Sequence, residues 1–529
     1  MTEKTVTIPL QEYEEYQVLK EENAQLNQRY QKLLDQFRLA QKHRFGSSSE
    51  KNKTNQVPPE QLPFEQIFNE AEVNADWKPQ KEATGEEITV KAHKRKKYVT
   101  NLDNLPENVE VEVINNDLPD SEKVCPECGS DMVKIGEDID RKVKFEPAKF
   151  IIVETHTPVY KCIKCRKPED EQIIVRAELP KPVIPGGNAT AEAIAYIATE
   201  KFMMYSPLYR QEQQINMAGI PLTRQTMSNW LLTATDLYFD PIWKRMHEKL
   251  LEETILHVDE TTVQVLHEPN RNPQNKSQMW LYRTGKYSKQ QLVLYDYQET
   301  RQKKHPQEFL RGFKGYLQTD GYAGYQHLSP DIKDVGCMVH ARREFVKALE
   351  LLPKDARAGT IEMQGVAYFD KLFAYEESFS NMTPDERKAK RLEFSKPVLD
   401  ELYAFAQHTN VPPKHQIGNA FHYLLNQWKW LTVWMEDGRL EISNNRAERS
   451  IKPFVMGRKN FLFCNTPRGA RSSAVMYSMI ETAKENNLDP FSYLTWIMKT
   501  ALYLNMKNPE DVDKLLPINA PSDCYSRKK

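Results

Sequence analysis

Between residues 10 and 43 the chain has neither Pro nor Gly, and Tyr16, Leu19, Asn23, Leu26, Tyr30, Leu33 and Phe37 follow one another at alternating steps of three and four. This is a heptad seam, with leucine at successive d positions and Asn23 at an a position. It predicts a parallel coiled-coil dimerisation helix over 1–45, in preference to a single amphipathic helix packed on its own protein. The periodicity stops at Gly46, and the polar run FGSSSEKNKTNQVPPEQ opens a flexible linker over 46–105. Alternation returns in KFIIVETHTPVYK, which reads as the strands of a hairpin. Residues 185–245 read as helices. Within GIPLTRQTMSNWL a glycine turn precedes a helix starting near Thr223, with Met227 and Trp230 inward and Thr223, Arg224, Gln225, Ser228 and Asn229 on a polar edge. That is the pattern of a DNA-reading helix-turn-helix, which buried helical hairpins share. From 255 the chain is strand-rich (ILHVDETTVQV, QMWLYRTG, QQLVLYDY, GYLQTDGYAGY). It turns helical from about 341 to 436 with a break at NVPPKH, and ends in helices over about 475–515. The fold class is therefore multidomain α+β.

Length and composition sharpen this picture. At 529 residues the chain exceeds one core, and roughly three to five domains are expected. The formal net charge is −1, so any attraction to a polyanion has to come from local basic surface, such as KAHKRKK at 91–97. No run of 18 apolar residues suggests a membrane span. An odd cysteine count of seven and a charged N-terminus fit a reducing compartment, hence the cytoplasm. Cys125, Cys128, Cys162 and Cys165 form two CxxC knuckles 33 residues apart. Four thiolates so paired predict one structural Zn²⁺ in a zinc-ribbon domain over 106–180; redox dithiols are the alternative.

The chemistry begins with an oddity. ILHVDETTVQV has the apolar, β-branched character of a buried strand, yet it carries Asp259 and Glu260. Burying a carboxylate without compensation costs several kcal/mol or forces protonation. Strand alternation puts His257 and Asp259 on one face and Val258 and Glu260 on the other, without saying which face is the site. Asp320 follows the strand-like GYLQT and precedes Gly321, a place for a carboxylate at a cleft or for an ordinary turn. Glu448 is the only acid between Asn444 and Arg471, among Arg446, Arg449, Lys452, Arg458, Lys459, Arg468 and Arg471. Ser443 is the expected cap of its helix. Three carboxylates from distant segments suit two Mg²⁺ or Mn²⁺ ions, which bind oxygen ligands and serve phosphoryl transfer. Such ions would compensate the strand acid.

HRFGSSSE, the two CxxC knuckles, KFMMYSPLYRQEQQINMAGIPLTRQTMSNW, HVDETTVQV, QTDGYAGY, GCMVHARREF, NNRAERSIKPFVMGRKNFLF and DPFSYLTWIM with LLPINAP occur in an order that resembles the transposases of the bacterial insertion sequence 66 family, over nearly the whole chain. The resemblance implies a DDE enzyme with an RNase H-like α/β catalytic core over 250–475, and it selects Asp259 over Glu260. The triad becomes Asp259, Asp320 and Glu448, holding two Mg²⁺. The 128 residues from Asp320 to Glu448 imply a helical insertion at about 350–436, whose Trp428, Trp430 and Trp434 are expected in its core. Residues 185–245 become the helical DNA-binding region and 476–529 a C-terminal helical segment. Ser47 stands where the family's pattern leads one to expect a basic residue. The Cys337-x-x-His340 pair has metal-like spacing, but two ligands make no site.

The implied function is binding of the element's terminal inverted repeats, followed by metal-dependent DNA strand cleavage and transfer into target DNA. Arg224, Arg342, Arg343, Arg446, Arg449, Lys452, Arg458 and Lys459 are the candidate DNA contacts. Joining two ends calls for a homodimer or higher oligomer, and accessory proteins of the same element are candidate partners. The protein is expected in the bacterial cytoplasm, with the nucleoid when bound. Two other readings compete. One is a catalytically inactive, transposase-derived DNA-binding regulator, which loss of any triad acid would favour. The other is a metal-dependent nuclease without strand transfer.

Overall fold

The computed structural model describes residue 20, residues 150–161 and 174–178, and residues 180–526. Two compact units divide the chain. One contains Pro180–Gln213 and Leu222–Cys524, the other Asp76–Leu179 and Gln214–Pro221.

In the latter unit, β1 (Val159–Lys161) pairs antiparallel with β2 (Ile174–Arg176), Tyr160 opposite Val175. The expected hairpin inside KFIIVETHTPVYK is therefore not formed. Among its described residues only the last three are strand, and their partner lies beyond the second CxxC knuckle in the sequence. Alternation names the faces of a strand but not its partner. The predicted coiled coil apart from Lys20, the linker, and Cys125, Cys128, Cys162 and Cys165 lie outside the described residues.

The other unit opens with α1 (Ala191–Phe202), capped by the Thr190 hydroxyl; next in the chain come α2 (Leu208–Met217), of which only the part up to Gln213 belongs to this unit, and α3 (Arg224–Ala234). Thr223 caps α3; Met227 and Trp230 are buried and Arg224, Gln225 and Asn229 exposed, as the pattern predicts. A π-helical turn leads into α4 (Asp240–Leu251).

A mixed five-stranded sheet follows. Its strands are β3 (Ile255–Gln264), β4 (Lys276–Thr284), β5 (Val293–Gln298), β6 (Gly315–Gln318) and β7 (Ile332–Val335), ordered β5-β4-β3-β6-β7. The first three are antiparallel neighbours; β6 and β7 run parallel to β3. The short α5 (Lys304–Phe309) stacks Phe309 on Tyr282 of β4 at 3.6 Å. β6 starts at Gly315 with φ +147°, where an added Cβ would lie 2.3 Å from the Thr254 carbonyl oxygen, so only glycine lets β6 come this close to β3.

After β7 come α6 (Met338–Glu350), α7 (Ile361–Ser378), α8 (Pro384–Lys390), α9 (Lys396–His408) and α10 (Gln416–Leu431). These helices bury Phe345, Phe369, Leu402, Phe421 and Leu424 in one cluster that reaches Val335 of β7. Trp434 is fully buried there and Trp428 packs against it. Trp430 is half-buried, 6.3 Å from the His327 ring. The chain then returns to the sheet through α11 (Asn445–Phe461) and α12 (Pro467–Glu485), and closes with α13 (Pro490–Ala501) and α14 (Pro509–Asp513). Thr482 and Ser478 of α12 accept the N–H groups of Val293 and Tyr295 at 3.0 and 2.8 Å. These hydroxyls close the open edge of β5, which would otherwise offer unpaired donors. No helix among the described residues is long and apolar enough to cross a membrane.

Candidate active site

The two acids of β3 have different compensation. Glu260 turns its nearly buried side chain to Arg301, whose Nε donates at 2.7 Å, and to the Tyr325 hydroxyl. Arg301 in turn lies 3.7 Å from the Tyr322 ring centre. Burial still holds the Glu260 carboxyl above its ordinary range. Asp259, on the opposite face, accepts from the Glu260 N–H at 2.8 Å. Its carboxyl is pushed well above the ordinary range, first by burial and then by the negative charges of Glu260, Glu448 and Asp320.

Asp320 reaches that field because β6 is parallel to β3. The ladder pairs His257 with Gln318, and the same register carried two residues on brings Asp259 level with Asp320. Asp320 ends its strand in a turn: its Oδ1 accepts from the Tyr322 N–H at 2.8 Å, Gly321 supplies φ +91°, and the Tyr423 hydroxyl donates to its carbonyl at 3.1 Å.

Glu448 lies in the first turn of α11. Its Oε1 is 3.7 Å from Nε2 of His340 and its Oε2 3.9 Å from Nη2 of Arg343, both on α6. The expected Ser443 cap is corrected: Asn444 occupies the N-cap, and its side chain makes no capping bond. That amide is already engaged. Its Nδ2 donates to the Val258 carbonyl at 2.8 Å, its Oδ1 faces Nδ1 of His257 at 3.2 Å, and its backbone N–H points at Cys337 Sγ at 3.2 Å. Behind it, His257 Nε2 lies 3.1 Å from Glu441, which also accepts from Arg446 at 2.8 Å. Burial would raise Glu441, but His257 and Arg446 outweigh it and hold the carboxyl far below its ordinary range. His257 is pushed down by burial. Pattern reading missed His257, Glu441 and Asn444; the one signal was a histidine inside an apolar strand.

Burial would lower His340, yet Cys337 beside it, then Glu448, raise the imidazole to about 9. The ligand atoms of Cys337, His340 and Glu448 lie within 4.8 Å of one another. The Cys-x-x-His pair thus meets a third possible ligand that its own spacing did not reveal.

The basic residues divide into two groups. Arg342 pairs with Asp370 at 2.8 Å, Arg446 with Glu441, and Arg458 binds the Thr261 and Thr262 hydroxyls of β3 at 3.1 and 2.8 Å. Arg224, Arg343, Arg449 and Lys459 are exposed, and Lys452 is half-buried. Lys459 and Arg458 line, with Lys276, Thr262, Gln264 and Gln274, a cavity of about 270 Å³ at the end of β3.

Carboxylates from β3, the end of β6 and α11 thus gather on a mixed sheet with cations at the margin, in a chain whose sequence matches known families along most of its length. The family described as "Transposase IS66 family" matches residues 186–472. Three companion families match as well: the zinc-finger binding domain of transposase IS66 at 122–166, the IS66 C-terminal element at 478–518, and "Transposase C of IS166 homeodomain" at 32–114. The chain belongs to the IS66 transposase family. Similar proteins from Sinorhizobium fredii (strain NBRC 101917 / NGR234) include the uncharacterized protein y4hP, 27% identical over 74% of this chain and 72% of that one. Another is y4qI, 27% identical over 94% and 90%. Among solved structures, the Drosophila P element transposase strand transfer complex matches at a TM-score of 0.34 and 15% identity, over 56% of this chain and 93% of that one.

Proposed function

We propose that this transposase is a DDE enzyme of DNA strand cleavage and strand transfer, built on an RNase H-like core with a helical insertion at about 350–436. Asp259, Asp320 and Glu448 are its catalytic acids. The observation that carries this reading is the convergence of three segments far apart in sequence: the parallel register sets Asp259 level with Asp320, and the Asn444–Val258 bond ties the helix of Glu448 beside them, where the neighbouring acids disfavour an ionised Asp259. A carboxylate so disfavoured is suited to a hard cation, which restores its charged form. Asp259, Asp320 and Glu448 would hold two Mg²⁺ or Mn²⁺ ions. When bound, these supply activation of the attacking oxygen and stabilisation of the leaving 3′-oxygen.

The chain's own residues then have defined tasks. Asn444 fixes the helix of Glu448 to the strand of Asp259. Arg301 and Tyr325 hold Glu260 away from the metal face. Arg343, Arg449, Lys452 and Lys459 position phosphates, and Arg224 lies on the helix that reads the element's terminal inverted repeats. Residues 106–180 form the zinc ribbon, with Cys125, Cys128, Cys162 and Cys165 on one Zn²⁺, and residues 1–45 pair two copies so that two ends can be joined.

The test is a joining assay with labelled element-end DNA and a supercoiled plasmid in Mg²⁺. Covalent joining of the end to the plasmid supports the transposase reading. Cut fragments without joined product favour a nuclease.

A further inference from the structure

We propose that Cys337, His340 and Glu448 form a binding site for one thiophilic divalent cation of the zinc class, separate from the oxygen-ligand site for Mg²⁺ but sharing Glu448 with it. Three observations converge on it. First, thiol sulfur, imidazole nitrogen and carboxylate oxygen lie within 4.8 Å of one another. Tetrahedral zinc sets such ligands about 2.0–2.3 Å from the metal, so small side-chain movements close the site. Second, His340 Nδ1 and Glu448 Oε1 are buried, and neither has a hydrogen-bond partner among the described residues. Buried polar atoms normally find a partner or an ion. Third, the sulfur is already supported from outside: the Asn444 N–H points at it, and Cys337 stands at the N-cap of the 13-residue α6. Backbone donors to sulfur and a helix N-terminus both favour a metal-bound thiolate.

The ligand set selects the metal. Sulfur and imidazole favour Zn²⁺, Cd²⁺ or Co²⁺ and reject Mg²⁺, which takes oxygen. Three protein ligands leave a fourth position open for water. Metal binding competes with protons for the ligand atoms, so zinc affinity falls as pH falls. Because Glu448 cannot serve both sites in full, an ion here withdraws it from Asp259 and Asp320. Zinc is therefore an inhibitor of the Mg²⁺-dependent reaction. That consequence rests on the triad proposed above; the binding does not.

The test is equilibrium dialysis of the full-length protein against buffered Zn²⁺, followed by metal analysis, for wild type, Cys337→Ser and His340→Gln. The wild type is expected to hold one more zinc ion per chain than either variant, at a free concentration where the variants bind at least tenfold more weakly. Co²⁺ in place of Zn²⁺ should give a thiolate charge-transfer band that Cys337→Ser lacks. His340→Gln, at a half-buried position, covers the case in which the buried Cys337→Ser fails to fold. Equal zinc content in the wild type and the folded variants overturns the site whatever the cleavage assays show. Zinc inhibition that persists in both variants overturns the competition.

Discussion

The side-chain amide of Asn444 donates to the backbone carbonyl of Val258 at 2.8 Å, tying the helix of Glu448 to the strand position next to Asp259. The two acids come from segments almost 190 residues apart, and this bond joins those segments one residue from Asp259.

Replacing Asn444 by Ala leaves the Val258 carbonyl and a His257 ring nitrogen without their partner in a buried place. Each such group costs about 1–3 kcal/mol. Asn444→Ala is expected to lower the urea-unfolding free energy by that order. It should also reduce cleavage more in Mg²⁺ than in Mn²⁺, whose coordination is less demanding. Equal loss with both metals would make the role purely structural.

Asp259 is disfavoured as an anion by burial and by three neighbouring acids. Asp259→Asn keeps an oxygen to accept from the Glu260 N–H while removing the charge. With no Mg²⁺ added and all other metal conditions held equal, the variant should be more resistant to urea than the wild type at neutral pH. Added Mg²⁺ should narrow the gap by stabilising only the wild type.

Arg391 is fully buried at the π-helical turn between α8 and α9. It donates to both Glu376 oxygens at 2.7 and 2.6 Å and to the carbonyls of Trp434, Asp437 and Leu440. Arg391→Ala strands Glu376 and three carbonyls. Breaking a buried pair by removing one partner costs about 3–5 kcal/mol, so denaturant unfolding should reveal a loss of that size.

Glu485 of α12 accepts from the buried Arg283 of β4 at 2.8 Å. Burial would raise its carboxyl, but Arg283 outweighs that and lowers it. Its folded pKa therefore lies below its unfolded value. The group stabilises the fold above the ordinary carboxylate range, and that stability is lost as pH falls through the lowered value. Glu485→Gln should be less stable than wild type by about 1.5–3 kcal/mol at neutral pH, the usual worth of hydrogen bonds to a charge. The difference should close below about pH 4. A difference unchanged with pH would contradict the ion pair.

Much of the site was legible in the sequence because strand alternation and turn chemistry are local. Asp259 and Glu260 do face apart, Asp320 does end a strand in a turn, and Met227 and Trp230 are inward. What escaped depends on distant partners. Ser443 is the better local cap, but the Val258 carbonyl and His257, over 180 residues away, engage the next residue instead. Arg342, Arg446 and Arg458 look like phosphate ligands in a basic run, yet Asp370, Glu441 and the β3 hydroxyls already take their donors. Cys337 and His340 carry metal spacing, while the third ligand is 108 residues further on. The hairpin failed for the same reason, since its pairing partner lay outside the stretch that alternates.

The most direct test of the central claim is Mg²⁺- or Mn²⁺-dependent cleavage of labelled element-end DNA by the wild type, Asp259→Asn and Glu448→Gln, with DNA binding measured in parallel. Cleavage by the wild type alone, with binding intact in all three, is the predicted result. Equal cleavage by all three would contradict the assignment of Asp259 and Glu448 as catalytic metal ligands.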